Sequence, residues 1–140
     1  MSRRYLLDSG PAGDCIFRRR GIFERAREAR SRGAKIGIGM PILGELVGGV
    51  EASATRDANW PILCRGLSTF VLWPFDPAAA WEYGRLYAEL RRLGRPMQQI
   101  DIQIAAIALT LGNCTVVTTD SDLTAVPGLC TENWAESPPA

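Results

Sequence analysis

Thr115-Val116-Val117-Thr118-Thr119-Asp120 places five consecutive β-branched side chains directly before an acid. Such side chains are stiff at χ1 and pack well on a pleated surface, so the run predicts a buried strand whose end carries a carboxylate. Upstream, Ile100 to Leu111 is a strongly apolar helical stretch, separated from the strand by Gly112-Asn113. Downstream, Pro127-Gly128 turns the chain into a short last strand near Leu129-Cys130-Thr131. The same pattern opens the chain: Arg4-Tyr5-Leu6-Leu7 is β-prone and ends in Asp8, and Ser9-Gly10-Pro11 predicts a break into a loop.

Between these ends strands and helices alternate. Ile22, Phe23, Ala26 and Ala29 share one face of a helix over Gly21–Arg32, with Gly33 placed to cap it. Lys35-Ile36-Gly37-Ile38-Gly39 alternates as a strand, and Pro41 opens a helix that carries Glu45 and decays at Gly48-Gly49. A helix over Arg56–Leu67 leads into a strand over Thr69–Trp73. Pro77 to Leu93 is the clearest helix, with Glu82, Arg85, Glu89 and Arg92 forming an alternating-charge stripe. Strands alternating with helices predict an α/β fold with a mainly parallel central sheet, one domain over residues 1–135 and a frayed tail over 136–140.

Composition narrows the chemistry. The chain has 140 residues, 46% of them apolar, the proportion of one ordinary globular core. Histidine is absent, which removes Ser–His–Asp and Cys–His hydrolysis and His-ligated zinc. The single lysine, Lys35, has no phosphate-loop motif around it. Cys15, Cys64, Cys114 and Cys130 form no C-x-x-C pair and read as buried or free thiols of a reducing compartment. No run is long and apolar enough for a signal-peptide core or a membrane span, so a cytoplasmic protein is expected. Net charge is +1, divided between +6 over residues 1–35 and −5 over the rest.

Acid–base or metal chemistry therefore rests on carboxylates. Asp8 and Asp120 close two strands, and ligands in parallel sheets bind beyond the strands' carboxyl ends. Glu45 and Asp101 interrupt segments that are otherwise apolar or small. A lone buried charge is costly unless paired or bound to a metal. Taken singly, Asp101 also fits a helix cap or dipole partner, and Glu45 a solvated position.

In order and context these segments resemble the PIN-domain ribonucleases, and among them the VapC-type toxins of bacterial toxin–antitoxin pairs. The segments that carry the resemblance are Tyr5-Leu6-Leu7-Asp8-Ser9, Gly44-Glu45-Leu46-Val47-Gly48-Gly49, Ile100-Asp101-Ile102-Gln103-Ile104-Ala105-Ala106-Ile107-Ala108-Leu109, and Val117-Thr118-Thr119-Asp120-Ser121-Asp122-Leu123 with Val126-Pro127-Gly128-Leu129 and Asn133-Trp134 after it. The resemblance implies a three-layer α/β/α PIN-like fold, cleavage of RNA with Mg²⁺ or Mn²⁺, and catalytic acids at Asp8, Glu45, Asp101 and Asp120. Of these, Asp8, Asp101 and Asp120 stand at metal positions; Asp122, Thr118 and Ser9 are accessory candidates. It also implies a cognate antitoxin and a homodimer. Family members usually follow the first acid with Thr-Asn, whereas Ser9-Gly10 follows here, keeping a hydroxyl and removing an amide.

Arg18-Arg19-Arg20 is a candidate for RNA-backbone contact and equally an ordinary solvated face at the start of a helix. Asp14 is read as an exposed loop acid, with a substitute site oxygen as the other reading. Trp81, Tyr83 and Tyr87 suit core or dimer packing better than base stacking. The D-x-D of Asp120-Ser121-Asp122 also matches a phosphatase pattern, which lacks its downstream lysine here. The rival of another class is a PIN-like module that binds RNA or protein without cutting.

Overall fold

The computed structural model describes residues 2–135. Five strands, β1 (Arg4–Leu7), β2 (Lys35–Gly39), β3 (Val71–Trp73), β4 (Cys114–Val117) and β5 (Cys130–Glu132), form one sheet in the order β3-β2-β1-β4-β5. Every pairing is parallel, so the sheet is wholly rather than mainly parallel. The strands are linked by α1 (Ser9–Ile16), α2 (Ile22–Ser31), α3 (Met40–Glu51), α4 (Arg56–Leu67), α5 (Pro77–Arg92), α6 (Gln99–Leu111) and α7 (Ser121–Thr124). The chain steps from β1 to β3 in one direction and then returns past β1 to β4 and β5. Because parallel crossovers are right-handed, this reversal puts α1–α4 on one face and α5–α7 on the other. The predicted three-layer α/β/α architecture is present.

Both faces of the sheet are covered, and its central residues are accordingly apolar on both sides: Leu6, Leu7, Ile36, Ile38, Val116 and Val117 are all buried. Full burial of each such Leu or Ile contributes roughly 1.5–3 kcal/mol. α6 is apolar around most of its circumference because it packs against α5, β4 and α3 at once. Gly37 shows why a strand interior holds glycine: a Cβ there would lie 2.1 Å from the Val71 carbonyl oxygen, so β3 could not approach β2.

Several local expectations need correction. No loop follows β1, because α1 starts at Ser9 immediately after Asp8. Asp8 is extended (φ −68°, ψ 169°) and its carboxylate accepts from the Ser9 N–H at 2.8 Å, which makes it the helix N-cap. Pro11 falls in the first turn, where its missing N–H removes no helical hydrogen bond. Asp14 is therefore a helical residue, only 16% exposed at its side chain, and not a loop acid. α3 runs through Gly48-Gly49 to Glu51, since Val47 and the buried Val50 pack against the core and outweigh the glycines' low propensity. Arg18-Arg19-Arg20 forms the turn between α1 and α2 rather than the start of a helix. The strand before Asp120 ends at Val117, and the short α7 has no counterpart in the sequence reading. Residues 136–140, expected to fray, lie outside the described residues.

Candidate metal centre

The direction of chain travel reverses between β1 and β4, and their neighbouring connections leave toward opposite edges of the sheet. A crevice opens at such a switch point, beyond the strands' carboxyl ends. Asp8 stands at the end of β1, and its N–H donates to the Val117 carbonyl of β4 at 2.9 Å. Immediately past β4, the buried Thr118 hydroxyl donates to Asp8 Oδ2 at 2.8 Å and accepts from the Asp120 N–H at 2.9 Å. One hydroxyl thus ties the two strand ends together. Asp120 then caps α7, its Oδ1 accepting from the Asp122 N–H at 2.8 Å.

Asp101 enters from α6. Gln98 is the N-cap of that helix, so Asp101 is not the cap; it sits in the first turn, at the favourable end of the helix dipole. It is 8% exposed. Among the described residues, Asp101, Asp120 and Asp122 bring carboxylate oxygens within 4.8 Å of one another. Burial is the main cause that raises the Asp101 carboxyl to about 6, followed by repulsion from Asp120, Asp8, Asp122 and Glu45. Asp8 is not a member of the trio, yet it is close enough to act on both Asp101 and Glu45. Glu45, on α3, is exposed by area but still raised, by partial burial first and by Asp8 second, with the Ser9 hydroxyl acting the other way.

The donor set suits a hard divalent cation, which takes oxygen ligands and relieves the repulsion of crowded carboxylates. Asp122, read from the sequence as accessory, is geometrically equal to Asp101 and Asp120; its proximity follows from the tight first turn of α7. Arg19 lines the groove that holds Ser9 and Glu45, whereas Arg18 stacks over Phe23 at 4.0 Å beside a different depression, and Arg20 faces solvent. Ser53 and Asn59 also line the groove that holds Ser9, Glu45 and Arg19, unforeseen because only the packing of α4 against α3 brings Asn59 there.

Thr118→Val is expected to lower activity by roughly tenfold, since Asp8 Oδ2 and the Asp120 N–H both lose their partner. Stability should fall by about 1–3 kcal/mol, the cost of buried polar groups left unpaired. Paired kinetics and denaturant melts check this; a fall in stability with unchanged turnover would leave Thr118 a structural role alone.

Fold and geometry together define a class: all-parallel α/β proteins that gather carboxylates at the switch point of the sheet. A family model described as PIN domain matches residues 5–129, and the chain belongs to the PIN-domain family. It is 31% identical over 134 residues to the tRNA(fMet)-specific endonuclease VapC of Shigella flexneri, covering 94% of this chain and 98% of the relative. Among solved structures, VapBC2 from Rickettsia felis bound to a promoter DNA fragment superposes with a TM-score of 0.85 at 27% identity, covering 94% of this chain and 98% of the other. DNA-bound VapBC from Salmonella typhimurium gives 0.84 at 28% identity, over 96% and 99%.

Proposed function

We propose that this chain is a metal-dependent endoribonuclease, the toxin of a cytoplasmic toxin–antitoxin pair. The observation that carries this reading is the convergence of Asp101, Asp120 and Asp122 beside the Thr118-anchored Asp8, in a chain similar over nearly its full length to VapC endonucleases. Asp8, Asp101 and Asp120 would hold Mg²⁺ or Mn²⁺, with Asp122 as a further oxygen donor. Such an ion supplies charge neutralisation at phosphorus and a more acidic water. Glu45, exposed at the groove and with a raised carboxyl, accepts a proton as the reaction proceeds. Thr118 and the Ser9 N–H hold Asp8 in one orientation by occupying its two oxygens.

The test is incubation of purified protein with RNA, with and without Mg²⁺ or Mn²⁺ and with excess chelator. Cleavage only with the ion, leaving 5′-phosphate and 3′-hydroxyl ends, is expected; cleavage that survives chelation, or cyclic 2′,3′-phosphate products, overturns the mechanism. A non-cutting RNA- or protein-binding module would bind without cleaving under every condition.

The similar solved structures are VapBC complexes, which supports an antitoxin partner for this chain. We also propose a homodimer through α5. Trp81 is 83% exposed and Tyr87 45%, on a helix whose opposite side packs on α6. Sedimentation at micromolar concentration should show a dimer that Trp81→Glu weakens; a wild-type monomer counts against it.

A further inference from the structure

The turn between α1 and α2 holds three residues in the left-handed region: Arg18 (φ 57°), Arg20 (φ 58°) and Gly21 (φ 70°). Two side-chain-bearing residues in this region within three positions is an unfavourable arrangement. Its effect is to send neighbouring arginines in different directions. Arg18 goes over Phe23, while Arg19 folds back along α1, where its Nε donates to Asp14 Oδ1 at 3.0 Å. The Arg19 guanidinium stands 5.5 Å from the Phe17 ring, and its Nη2 would be 3.6 Å from a Cβ at Gly13. Asp14 is shared, with Arg20 Nε at 3.7 Å, so the trio keeps a net positive charge.

Arg19 is 60% exposed, and an ion pair at that exposure adds little to stability. What the contacts do is fix the guanidinium by its Nε; among the described residues Nη1 and Nη2 have no hydrogen-bond partner. Among the described residues, Arg19 is the one cation lining a groove of about 470 Å³ that also takes in Ser9, Asp14 and Glu45. A pre-oriented guanidinium fork matches the paired oxygens of a phosphodiester and loses less freedom on binding than a mobile side chain. If the scissile phosphate lies at the acids, flanking phosphates of the same strand must leave the centre along a groove, and this one opens beside Glu45.

We propose that Arg19 contacts a backbone phosphate of RNA lying in this groove and that Asp14 is the positioning residue that aims it. The inference rests on RNA being the substrate. It assigns Asp14 to arginine orientation and not to metal ligation, and it selects Arg19 from the three consecutive arginines.

The experiment measures affinity for a single-stranded RNA oligonucleotide across a salt series, in metal-free buffer, on the Asp101→Asn protein, and separately KM and kcat on otherwise wild-type protein with Mg²⁺. Arg19→Ala should weaken affinity by roughly ten- to a hundredfold and reduce the slope of log affinity against log salt by about 1. KM should rise with kcat changed much less. Asp14→Ala should move affinity and KM the same way, Asp14→Asn should restore part of the loss, and Arg19→Ala with Asp14→Ala should be no worse than Arg19→Ala alone. Arg32→Ala, on an exposed pair with Glu28 at the far end of α2, is the control and should change neither. Unchanged affinity in Arg19→Ala, additive losses in the double variant, or an Asp14→Ala protein that melts earlier but binds normally each overturns the proposal. Failure of the wild type to cleave RNA with any divalent ion would defeat the enzymatic reading instead, and the binding arms would still decide this one.

Discussion

Asp101→Asn is expected to abolish RNA cleavage, by roughly a thousandfold or more, while making the metal-free protein more stable. The two effects have one cause. Burial first, and then repulsion from Asp120, Asp8, Asp122 and Glu45, hold the Asp101 carboxyl near 6. At neutral pH it is ionised against both burial and repulsion, and Asn removes that charge while keeping the shape. The gain should be about 1–2 kcal/mol, less than full conversion of the shift, because water reaches the open side of the crevice. Cleavage assays and thermal melts in chelator check both halves. A variant clearly less stable than wild type would make Asp101 a structural hydrogen-bond or dipole partner, and its assignment to the metal would fall.

Mg²⁺ or Mn²⁺ should stabilise the wild type by about 2.7 kcal/mol at a hundredfold excess over Kd, and the Asp101→Asn variant far less. The gain should also depend on pH, with a definite sign. Folding raises the Asp101 carboxyl from its ordinary 3.8 to about 6, so between those values the folded chain binds the proton more tightly than the unfolded one. The metal-free protein is then most stable below about pH 4 with respect to this group and loses that contribution as pH rises through about 6. Protons and the cation compete for the same oxygens, so metal stabilisation should grow over the same interval. Melts with and without the ion at about pH 5 and about pH 7.5 measure this. An equal metal-induced shift at both pH values, or one that Asp101→Asn retains, would place the ion elsewhere.

Much of this protein was determined by sequence alone. Ile100 to Leu111 is apolar around most of its circumference and Thr115 to Val117 is β-branched throughout, a composition that calls for cover on more than one side, so a layered α/β fold follows from local chemistry. The absence of histidine leaves carboxylates as the chemistry, and Asp8 and Asp120 announce themselves by closing β-prone runs. Other features were decided by tertiary structure. Ser9-Gly10-Pro11 has the composition of a breaker, yet becomes helix because Asp8, fixed at the end of β1, caps it. Nothing in the spacing of Asp101 from Asp122 places their oxygens within 4.8 Å; the return of the chain across the sheet and the tight turn of α7 do so. Asp14 and Arg19 are five residues apart in a charged stretch without periodicity, and their pairing exists only because a left-handed turn folds one back on the other. Sequence fixes what each segment buries, a local free-energy matter, whereas the meeting of distant polar groups depends on strand order and crossover hand, which no local interaction encodes.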